Sequence, residues 1–189
     1  MDVKTFFDNL APVWDNRETC TEQQLRPFVE RCGAKHGDKV LDLGCGTGIV
    51  SGILRDMGCL VTAMDISDRM IDIARAKYGP NSGIRFVCQD FYTCNEGKFD
   101  CVVVFNAYPH FTDRSAFADK LYNVLNDGGR FAVMHNIGRT TLAAHHSGTG
   151  NISVEPLPIQ NEMLYFTDKF DIVCAEDDDV HYLLKGIRK

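Results

Sequence analysis

The sequence predicts a single α/β domain with a mostly parallel sheet, helices on both faces and one antiparallel strand near its C-terminus. Three observations indicate this fold class. Short apolar runs alternate with segments of helical periodicity between residues 39 and 135, as in successive strand–helix–strand units. A glycine-rich turn at residues 44–48 joins the first apolar run to the first of those helices. Two apolar segments flank the acidic residues 176–179 in the manner of a hairpin.

Each element has its own signal. Residues 6–32 show helical spacing that Pro12 and Pro27 interrupt, which predicts two short helices ahead of the sheet. The continuous apolar run 99–105 is typical of a central strand that is covered on both faces. Residues 126–129 (Asn-Asp-Gly-Gly) predict a turn. Strands are predicted at 39–43, 60–64, 84–88, 99–105, 130–135, 170–175 and 180–187, and helices at 48–57, 68–77, 114–125 and 158–167.

Length, charge and cysteine content narrow the class of protein. With 189 residues and 44% hydrophobic content, the chain is long enough to fold as one domain without disulfides or structural metal. The net charge of −6 and the absence of a basic run argue against nucleic acid as a partner. No apolar stretch reaches the length of a membrane span, and no apolar signal segment begins the chain, so we expect a cytoplasmic protein. The eight cysteines contain no C-x-x-C pair and lie mostly in or beside apolar strands, which indicates buried thiols.

The glycine-rich turn is the candidate ligand site. The first apolar strand runs directly into Gly44, Gly46 and Gly48, and glycine lets the backbone take positive φ and approach a ribose or phosphate closely. Asp65 ends the next apolar run, where an acidic side chain accepts hydrogen bonds from ribose hydroxyls. Dinucleotide enzymes use G-x-G-x-x-G, whereas this chain has G-x-G-x-G with Asp42 inside the strand. That spacing argues against a nicotinamide oxidoreductase.

Three motifs in a fixed order carry a resemblance to a known family. These are residues 41–48 (LDLGCGTG), residues 64–67 (MDIS) with Met70 and Ala74, and residues 86–90 (FVCQD). Together they closely resemble the S-adenosylmethionine-dependent methyltransferases of the Rossmann-like class I type, in their small-molecule subgroup, and the resemblance spans residues 6–189. It implies an enzyme that binds S-adenosyl-L-methionine and transfers a methyl group to a small-molecule acceptor, with no nucleic acid or membrane as a partner.

The resemblance also implies roles for individual residues. The Asp42 carboxylate suits the ammonium group of the cofactor, Asp65 holds the ribose hydroxyls, and Asp90 accepts a hydrogen bond from the adenine amino group. Asp65 and Asp90 are alternatively helix caps, for which aspartate is equally suited. The cofactor-binding residues expected on this basis are Asp42, Gly44, Cys45, Gly46, Gly48, Asp65, Ile66, Met70, Asp90, Phe91, Asn106 and Trp14.

The N-terminal segment, residues 1–36, is expected to form a helical lid. Residues 6–15 (FFDNLAPVWD) resemble the leader of small-molecule methyltransferases, which folds over the cofactor pocket, where it excludes water from the sulfonium. An amphipathic helix that packs Phe6, Leu10 and Trp14 into the core explains the same spacing equally well. Both interpretations stay open at this point.

The candidate catalytic residues are His110 and Tyr108. Both lie in residues 106–113, which follow the central strand, and ligands of α/β proteins lie at the carboxyl ends of strands. His110 is therefore expected near the transferred methyl group, either as a general base or as a wall of the pocket. Residues 106–109 (NAYP) share Asn and Tyr with the N-P-P-Y motif of nitrogen-methylating enzymes but lack its two internal prolines, so that chemistry is not inferred.

A short substrate-selecting insertion is expected at residues 138–158, where the resembled family places one, and its length favours a small acceptor. The expected substrate-binding residues are His110, His135, Arg139, His145 and His146. A shared metal is disfavoured because the adjacent His145 and His146 would point about 100° apart on a helix. No metal site is predicted, and the methylated atom stays open among O, N, S and C.

Two other functions stay open. Methylation of a protein side chain or an RNA nucleotide is disfavoured by the acidic charge and the short insertion. A non-catalytic partner protein that binds S-adenosylmethionine would keep the glycine turn and Asp65 yet show no methyl turnover. A thiophilic acceptor such as arsenite is disfavoured because the cysteines form no cluster in the sequence.

Overall fold

The sheet has seven strands in the described part of the chain, in the order β3-β2-β1-β4-β5-β7-β6. The computed structural model describes residues 1–17, 20–146 and 152–189, with the backbone alone for residues 17 and 144–146. Strand β7 pairs antiparallel with β5 and β6, and all other pairings are parallel, which confirms the predicted fold class. The strands are β1 (Lys39–Leu43), β2 (Leu60–Asp65), β3 (Ile84–Cys88), β4 (Phe99–Phe105), β5 (Leu125–His135), β6 (Phe170–Asp177) and β7 (Tyr182–Arg188).

The helices lie on both faces of this sheet. They are α1 (Val3–Leu10), α2 (Trp14–Arg17), α3 (Glu22–Val29), α4 (Ile49–Asp56), α5 (Asp68–Tyr78), α6 (Arg114–Val124), α7 (Arg139–His146) and α8 (Ile159–Glu162), with 3₁₀ turns that include Phe91–Thr93, Tyr108–His110 and Met163–Tyr165. One hydrophobic cluster joins α3, α4 and α5 to one face, and a second joins α6 and α8 to the other. From Cys101 to Phe105, successive residues of β4 alternate between the two clusters, as the period of a strand requires.

Three predicted elements differ from the structure by more than one or two residues at their ends. The N-terminal region forms three short helices instead of two, and α3 continues through Pro27 to Val29. The predicted turn at 126–129 falls inside β5 and interrupts its ladder, because Leu125 already pairs with Phe99 and the next pair is Cys101 with Arg130. The predicted helix 158–167 is only the short α8 followed by a 3₁₀ turn.

The sheet order places a ligand site between β1 and β4. Strand β1 pairs with β2 on one side and with β4 on the other, so the chain reverses its direction of growth across the sheet at this point. Loops at the carboxyl ends of the two strands diverge here and leave a crevice, which is where open α/β sheets bind ligands. Across the described residues, the chain offers no helix with the length and apolar character needed to cross a bilayer.

The cluster on the α6 face gives a test of the packing. Phe166 is fully buried, and its ring stacks on Phe131 with centroids 5.0 Å apart, whereas Leu164 in the preceding turn is 66% exposed. We expect Phe166→Ala to lower the free energy of unfolding by about 3–5 kcal/mol, because it leaves a cavity in the core. The control Leu164→Ala is expected to change it by less than about 0.5 kcal/mol. Urea denaturation measures both, and equal losses would contradict this placement of Phe166.

Candidate functional site

A cavity of about 250 Å³ lies at the carboxyl ends of β1, β2 and β4. Its floor is the turn between β1 and α4, and its sides come from the end of β2, residues 89–92 and residues 105–111. Val3, Phe7 and Trp14 of the N-terminal segment complete the lining. The cavity occupies the position that the sheet order indicates, and it gathers most of the residues that the sequence singled out.

The backbone of the glycine turn forms the floor of the cavity. Gly44, Gly46 and Gly48 have φ values of 73°, 53° and 93°, in the left-handed region that side chains disfavour. The N–H groups of Gly44 and Cys45 both donate to the carbonyl of Met64, at 2.8 and 3.0 Å, which ties the turn to the end of β2. A Cβ on Gly44 would stand 2.5 Å from the Cβ of Ala107, so this position has no room for a side chain.

Asp65 joins the end of β2 to the glycine turn. Its Oδ2 accepts from the Gly46 N–H at 2.9 Å, and its Oδ1 accepts from the Ser67 N–H at 2.9 Å. The carboxyl group is nearly buried at the edge of the cavity, and burial raises its pKa. Each carboxylate oxygen has a second lone pair, so Asp65 can shape the turn and still accept hydrogen bonds from ligand hydroxyls.

Asp42 places a buried acidic group in the cavity wall. Its Oδ2 accepts from the Ser51 hydroxyl at 2.5 Å, whereas Oδ1 has no hydrogen-bond partner among the described residues. Burial raises the pKa of Asp42 to about 7. An unpartnered buried carboxylate oxygen is costly, and a ligand ammonium group satisfies it. The residues present therefore fit the amino-acid end of S-adenosylmethionine.

The charge of the described lining favours a cationic ligand. Asp42, Asp65 and Asp90 line the cavity, and no Lys or Arg is among the described lining residues. Asp90 also caps the 3₁₀ turn that begins at Phe91, because its Oδ1 accepts from the Tyr92 N–H at 2.9 Å. Asp90 therefore both caps the turn and lines the cavity. A pyrophosphate would meet three acidic groups here, which argues against a dinucleotide.

Helix α1 roofs the cavity instead of packing into the core. None of its eight residues, all within the described part, is fully buried, and Val3 and Phe7 face the cavity. Polar contacts fasten the helix to the start of α5: Lys4 pairs with Asp68 at 2.6 Å, and the Ser67 hydroxyl donates to Asp8 at 2.6 Å. The lid interpretation stays a prediction, which these contacts support.

Trp14 closes the cavity over the glycine turn. Its indole Nε1 lies 3.5 Å from the position of a Cβ on Gly46, and its ring meets Phe7 edge-to-face with centroids 5.8 Å apart. Phe7 in turn meets the ring of His110, with centroids 4.8 Å apart. A chain of aromatic contacts therefore runs from the glycine turn to the candidate base.

His110 lies on the cavity wall, as the position after the central strand predicts. Its Nδ1 is 3.0 Å from the carbonyl oxygen of Ile152. A carbonyl can only accept, so Nδ1 carries the proton and Nε2 bears the lone pair in the neutral ring. This tautomer is the one that a base acting through Nε2 requires.

Asn106 lines the same wall in a strained backbone conformation. Its φ of 54° is unusual for a residue other than glycine. The Asn106 Nδ2 donates to Asn136 Oδ1 at 2.8 Å, and the Asn136 N–H donates to Asn106 Oδ1 at 3.2 Å. Strain of this kind is held by surrounding bonds and is common at functional sites.

One predicted catalytic residue, Tyr108, and one predicted cofactor-binding residue, Gly48, lie outside the cavity. Tyr108 is buried behind it, where its hydroxyl donates to Glu162 at 2.6 Å and burial raises its pKa, so the geometry does not support a catalytic role. Gly48 starts α4, and a Cβ there would meet the Tyr78 ring at 2.9 Å. The φ of 93° and the packing against Tyr78 account for glycine at this position.

The expected substrate histidines do not converge in the described structure. His135 is buried beside the ring of Tyr182, with centroids 5.9 Å apart, and Arg139 pairs with Asp177 at 3.0 Å. Neither lines the cavity. The side chains of His145 and His146 lie outside the described residues. No cluster of three or more possible metal ligands occurs among residues 1–17, 20–146 and 152–189.

Several lining residues were not singled out in the sequence. Helical spacing could have identified Phe7, because it stands seven residues before Trp14. The neighbouring Phe6 fits an amphipathic helix equally well, so the spacing does not single out Phe7. The other such lining residues are Val3, Leu43, Thr47, Ile49, Val50, Gln89, Tyr92, Phe105, Ala107 and Phe111. Cys88, which the pattern predicts to be a small buried thiol, is exposed at the end of β3.

Known proteins are similar to this chain in sequence. A family model described as a methyltransferase domain matches residues 41–133. Ubiquinone biosynthesis O-methyltransferase from Xylella fastidiosa (strain 9a5c) is 34% identical over 112 residues, which cover 57% of this chain and 45% of that protein. Malonyl-[acyl-carrier protein] O-methyltransferase 1 from Ilyobacter polytropus is 28% identical over 181 residues, which cover 91% of this chain and 65% of that protein. The chain spans less than two thirds of the length of either relative.

Solved structures share the fold. A chain in the complex of the Trm112 methyltransferase activator from Haloferax volcanii superposes with a TM-score of 0.82 at 20% identity, covering 99% of this chain and 97% of that chain. N-methyltransferase NodS from Bradyrhizobium japonicum WM9, in complex with S-adenosyl-L-homocysteine, gives 0.74 at 16% identity, covering 100% and 99%. The seven-stranded architecture is therefore that of known methyltransferases.

The buried carboxyl group of Asp42 predicts a pH-dependent stability. The unfolded chain releases this proton near pH 3.8, whereas the folded protein holds it up to about pH 7. The contribution of Asp42 to the free energy of unfolding therefore falls as pH rises from 4 through 7. We expect Asp42→Asn to gain up to a few kcal/mol relative to the parent between pH 5 and pH 8, measured by urea denaturation.

The matched control for this measurement is Asp178→Asn. The backbone N–H groups of His181 and Val180 lower the pKa of Asp178, so this carboxylate stays ionised across the same range. The difference in stability between Asp178→Asn and the parent should therefore stay constant from pH 5 to pH 8. An Asp42→Asn difference that is equally constant would show that Asp42 is ionised throughout.

Proposed function

Because the chain belongs to the class I S-adenosylmethionine-dependent methyltransferases, we propose that it transfers a methyl group from this cofactor to a small, largely apolar acceptor. The observation that carries the proposal is the unpartnered Oδ1 of Asp42 in a cavity wall that holds three aspartates. An ammonium group and a sulfonium suit these charges. The glycine turn and Asp65 supply the remaining support, since they present backbone and carboxylate acceptors to a ribose.

The proposed role of each residue is assigned from its position in the lining of the cavity. Asp42 pairs with the ammonium group of the cofactor, Asp65 accepts from the ribose hydroxyls, and Asp90 accepts from the adenine amino group beside Phe91. Of the predicted lid, residues 1–36, only α1 and α2 act as the lid, through Val3, Phe7 and Trp14. Helix α3 packs its buried side chains into the core instead. Because Val3, Phe7 and Trp14 separate the cavity from solvent on that side, the lid excludes water from the reacting groups.

The acceptor class rests on the lining and on the relatives. Aromatic side chains dominate the wall near His110, and a polar or highly charged acceptor would lose hydration there without compensation. The names of two relatives, ubiquinone biosynthesis O-methyltransferase and demethylmenaquinone methyltransferase, favour a small-molecule acceptor, whereas that of a third names malonyl-[acyl-carrier protein]. Residues 138–158 remain the proposed substrate-selecting segment. A small aromatic molecule with a hydroxyl or amine group fits these features.

When bound, the cofactor supplies a methyl group that its sulfonium already activates, so the protein chiefly orients the acceptor and removes its proton. His110 Nε2 accepts the proton that the acceptor atom loses as it bonds to the methyl carbon. The Ile152 carbonyl fixes the tautomer that this step needs. The aromatic contact with Phe7 keeps the imidazole ring against the wall.

Calorimetric titration of the purified protein tests the cofactor assignment, with NAD as the comparison ligand. We expect micromolar affinity for S-adenosylmethionine and no binding of NAD, because three carboxylates face the cavity and no Lys or Arg among the described lining residues does. Binding of NAD alone would overturn the proposal. Binding of S-adenosylmethionine without methyl turnover of any metabolite extract would support a non-catalytic partner protein instead.

The variant Asp65→Asn tests the site itself in the same titration. Replacing the carboxylate removes an acceptor from the Gly46 N–H and from the ribose, so affinity should fall by about 1–3 kcal/mol. Asp72→Asn is the matched control, because this neighbouring carboxylate on α5 is 74% exposed. Its affinity should equal that of the parent. Equal affinity for both variants would remove Asp65 from the site.

Substitution of His110 tests whether this residue is a general base or only part of the cavity wall. With an acceptor identified from extract screening, His110→Gln should lower kcat by roughly 100-fold or more, because proton transfer by a positioned base contributes that much. The cofactor affinity should stay nearly unchanged, which calorimetry measures on the same preparation. Turnover that survives the substitution would leave His110 as a wall of the cavity.

A further inference from the structure

A segment that is distant in sequence is attached to the His110 turn. The Val154 N–H donates to the carbonyl of Pro109 at 2.8 Å, and His110 Nδ1 donates to the carbonyl of Ile152 at 3.0 Å. Residues 152–157, which we call the bracing segment, therefore touch the Tyr108–His110 turn at two points. One of these points fixes which imidazole nitrogen holds the proton. The position of the bracing segment thus determines the chemistry available to His110.

The bracing segment is in turn held by a buried ion pair. Arg114 Nε donates to Glu162 Oε1 at 2.8 Å, and Arg114 Nη2 donates to the carbonyl of Glu155 at 2.6 Å. The Leu157 N–H donates to Glu162 Oε2 at 3.2 Å. Both ends of the pair thus bond to the backbone of the bracing segment. The Glu162 side chain is fully buried, and that of Arg114 is 13% exposed.

Tyr108 links the same ion pair to the His110 turn. Its hydroxyl donates to Glu162 Oε1 at 2.6 Å, and its ring packs on Phe117 of α6, with centroids 5.2 Å apart. Burial keeps this hydroxyl protonated by raising its pKa, so it remains a donor to the carboxylate. One carboxylate therefore binds the turn that carries His110, the start of α6 and the bracing segment.

Stability alone is a weak reason for such a pair. Removing two charges from water costs several kcal/mol for each ion, and apolar residues of similar volume often stabilise a core equally well. What the pair adds here is directional bonding to three separate parts of the chain. A clamp of this kind fixes the distance between the Ile152 carbonyl and the imidazole, which apolar packing does not specify.

We propose that Glu162 and Arg114 are positioning residues for His110. They hold the Ile152 carbonyl against Nδ1, so that Nε2 is the nitrogen that accepts the acceptor's proton. The inference rests on the proposed function, since the fixed tautomer matters for a reaction that needs a base. It also gives Tyr108 a role in the clamp, behind the cavity and away from the reacting atoms.

Nitrogen NMR of ¹⁵N-labelled protein tests this inference without an acceptor. The two neutral tautomers give different nitrogen shifts, and the His110 signals are assigned by their loss in His110→Gln. We expect the parent to show the Nδ1–H tautomer. In Glu162→Gln, which keeps the size of the side chain but loses its charge, we expect the signals of a second tautomer to appear. A parent protein in the Nε2–H form would overturn the proposal whether or not the variant folds.

Two controls separate positioning from general destabilisation. Asp38→Asn breaks the partly buried Asp38–Arg130 ion pair, which lies outside the lining of the cavity. It should lower the melting temperature without changing the His110 shifts. If Glu162→Gln also melts lower but leaves the His110 shifts unchanged, the role of Glu162 is structural only. Arg114→Lys replaces Glu162→Gln if that variant does not fold, since it keeps the charge and loses the contact with Glu155.

Calorimetry on the same samples keeps this proposal distinct from the proposed function. S-adenosylmethionine should bind Glu162→Gln and the parent equally, because Glu162 does not line the cavity. If the parent fails to bind the cofactor, the proposed function fails whatever the tautomer. If it binds and the tautomer is wrong, only the positioning role fails. With an acceptor in hand, Glu162→Gln should lower kcat several-fold and leave KM for the cofactor unchanged.

Discussion

The site depends on the bond between the glycine turn and the end of β2. Asp65 accepts from the Gly46 N–H, while the N–H groups of Gly44 and Cys45 donate to the carbonyl of Met64. These contacts hold three successive residues in a turn in which Gly44 and Gly46 have left-handed φ values and Ala107 packs directly against Gly44. Helix α4 starts directly after that turn, and Ser51 on α4 donates to Asp42. The carboxylates of two neighbouring strands are therefore placed by one local fold of the backbone.

Sheet order converts this local arrangement into a cavity. Strand β1 lies between β2 and β4, so the loop after β1 and the loop after β4 diverge at the same edge. On one side of this edge lie the glycine turn and the carboxyl groups of Asp42 and Asp65, and on the other lie Asn106 and His110. A polar floor that suits a cofactor thus faces a wall that suits an acceptor. Helix α1 adds the apolar side chains of Val3 and Phe7 to the lining of the same cavity.

Local sequence signals predicted the strands and the cofactor floor, because both depend on residues close together in the chain. Residues 39–43 and 84–88 have the predicted limits, and the glycine turn has the expected backbone. Tyr108 is a residue whose role local sequence signals did not predict. Its partner Glu162 is 54 residues away, and the distance from the central strand says nothing about which way the side chain turns. The burial of His135 also depends on a distant partner, because His135 pairs with Tyr182 of β7. Gly48 likewise packs against the ring of Tyr78 from α5, which leaves no room for a Cβ.

The residues of the site lower the folding stability of the free protein, and this loss is linked to ligand binding. An unpartnered carboxyl oxygen at Asp42 and a left-handed backbone at Asn106 both lower the stability of the free protein. A ligand that satisfies Asp42 recovers part of that free energy, and the recovered part adds to affinity, because binding to the folded state alone shifts the folding equilibrium. The same logic applies to the buried Glu162, whose charge is tolerated because three donors surround it. The buried carboxyl groups of the described chain thus lie in the cavity wall, at Asp42 and Asp65, or directly behind it, at Glu162, where a rigid geometry serves the reaction.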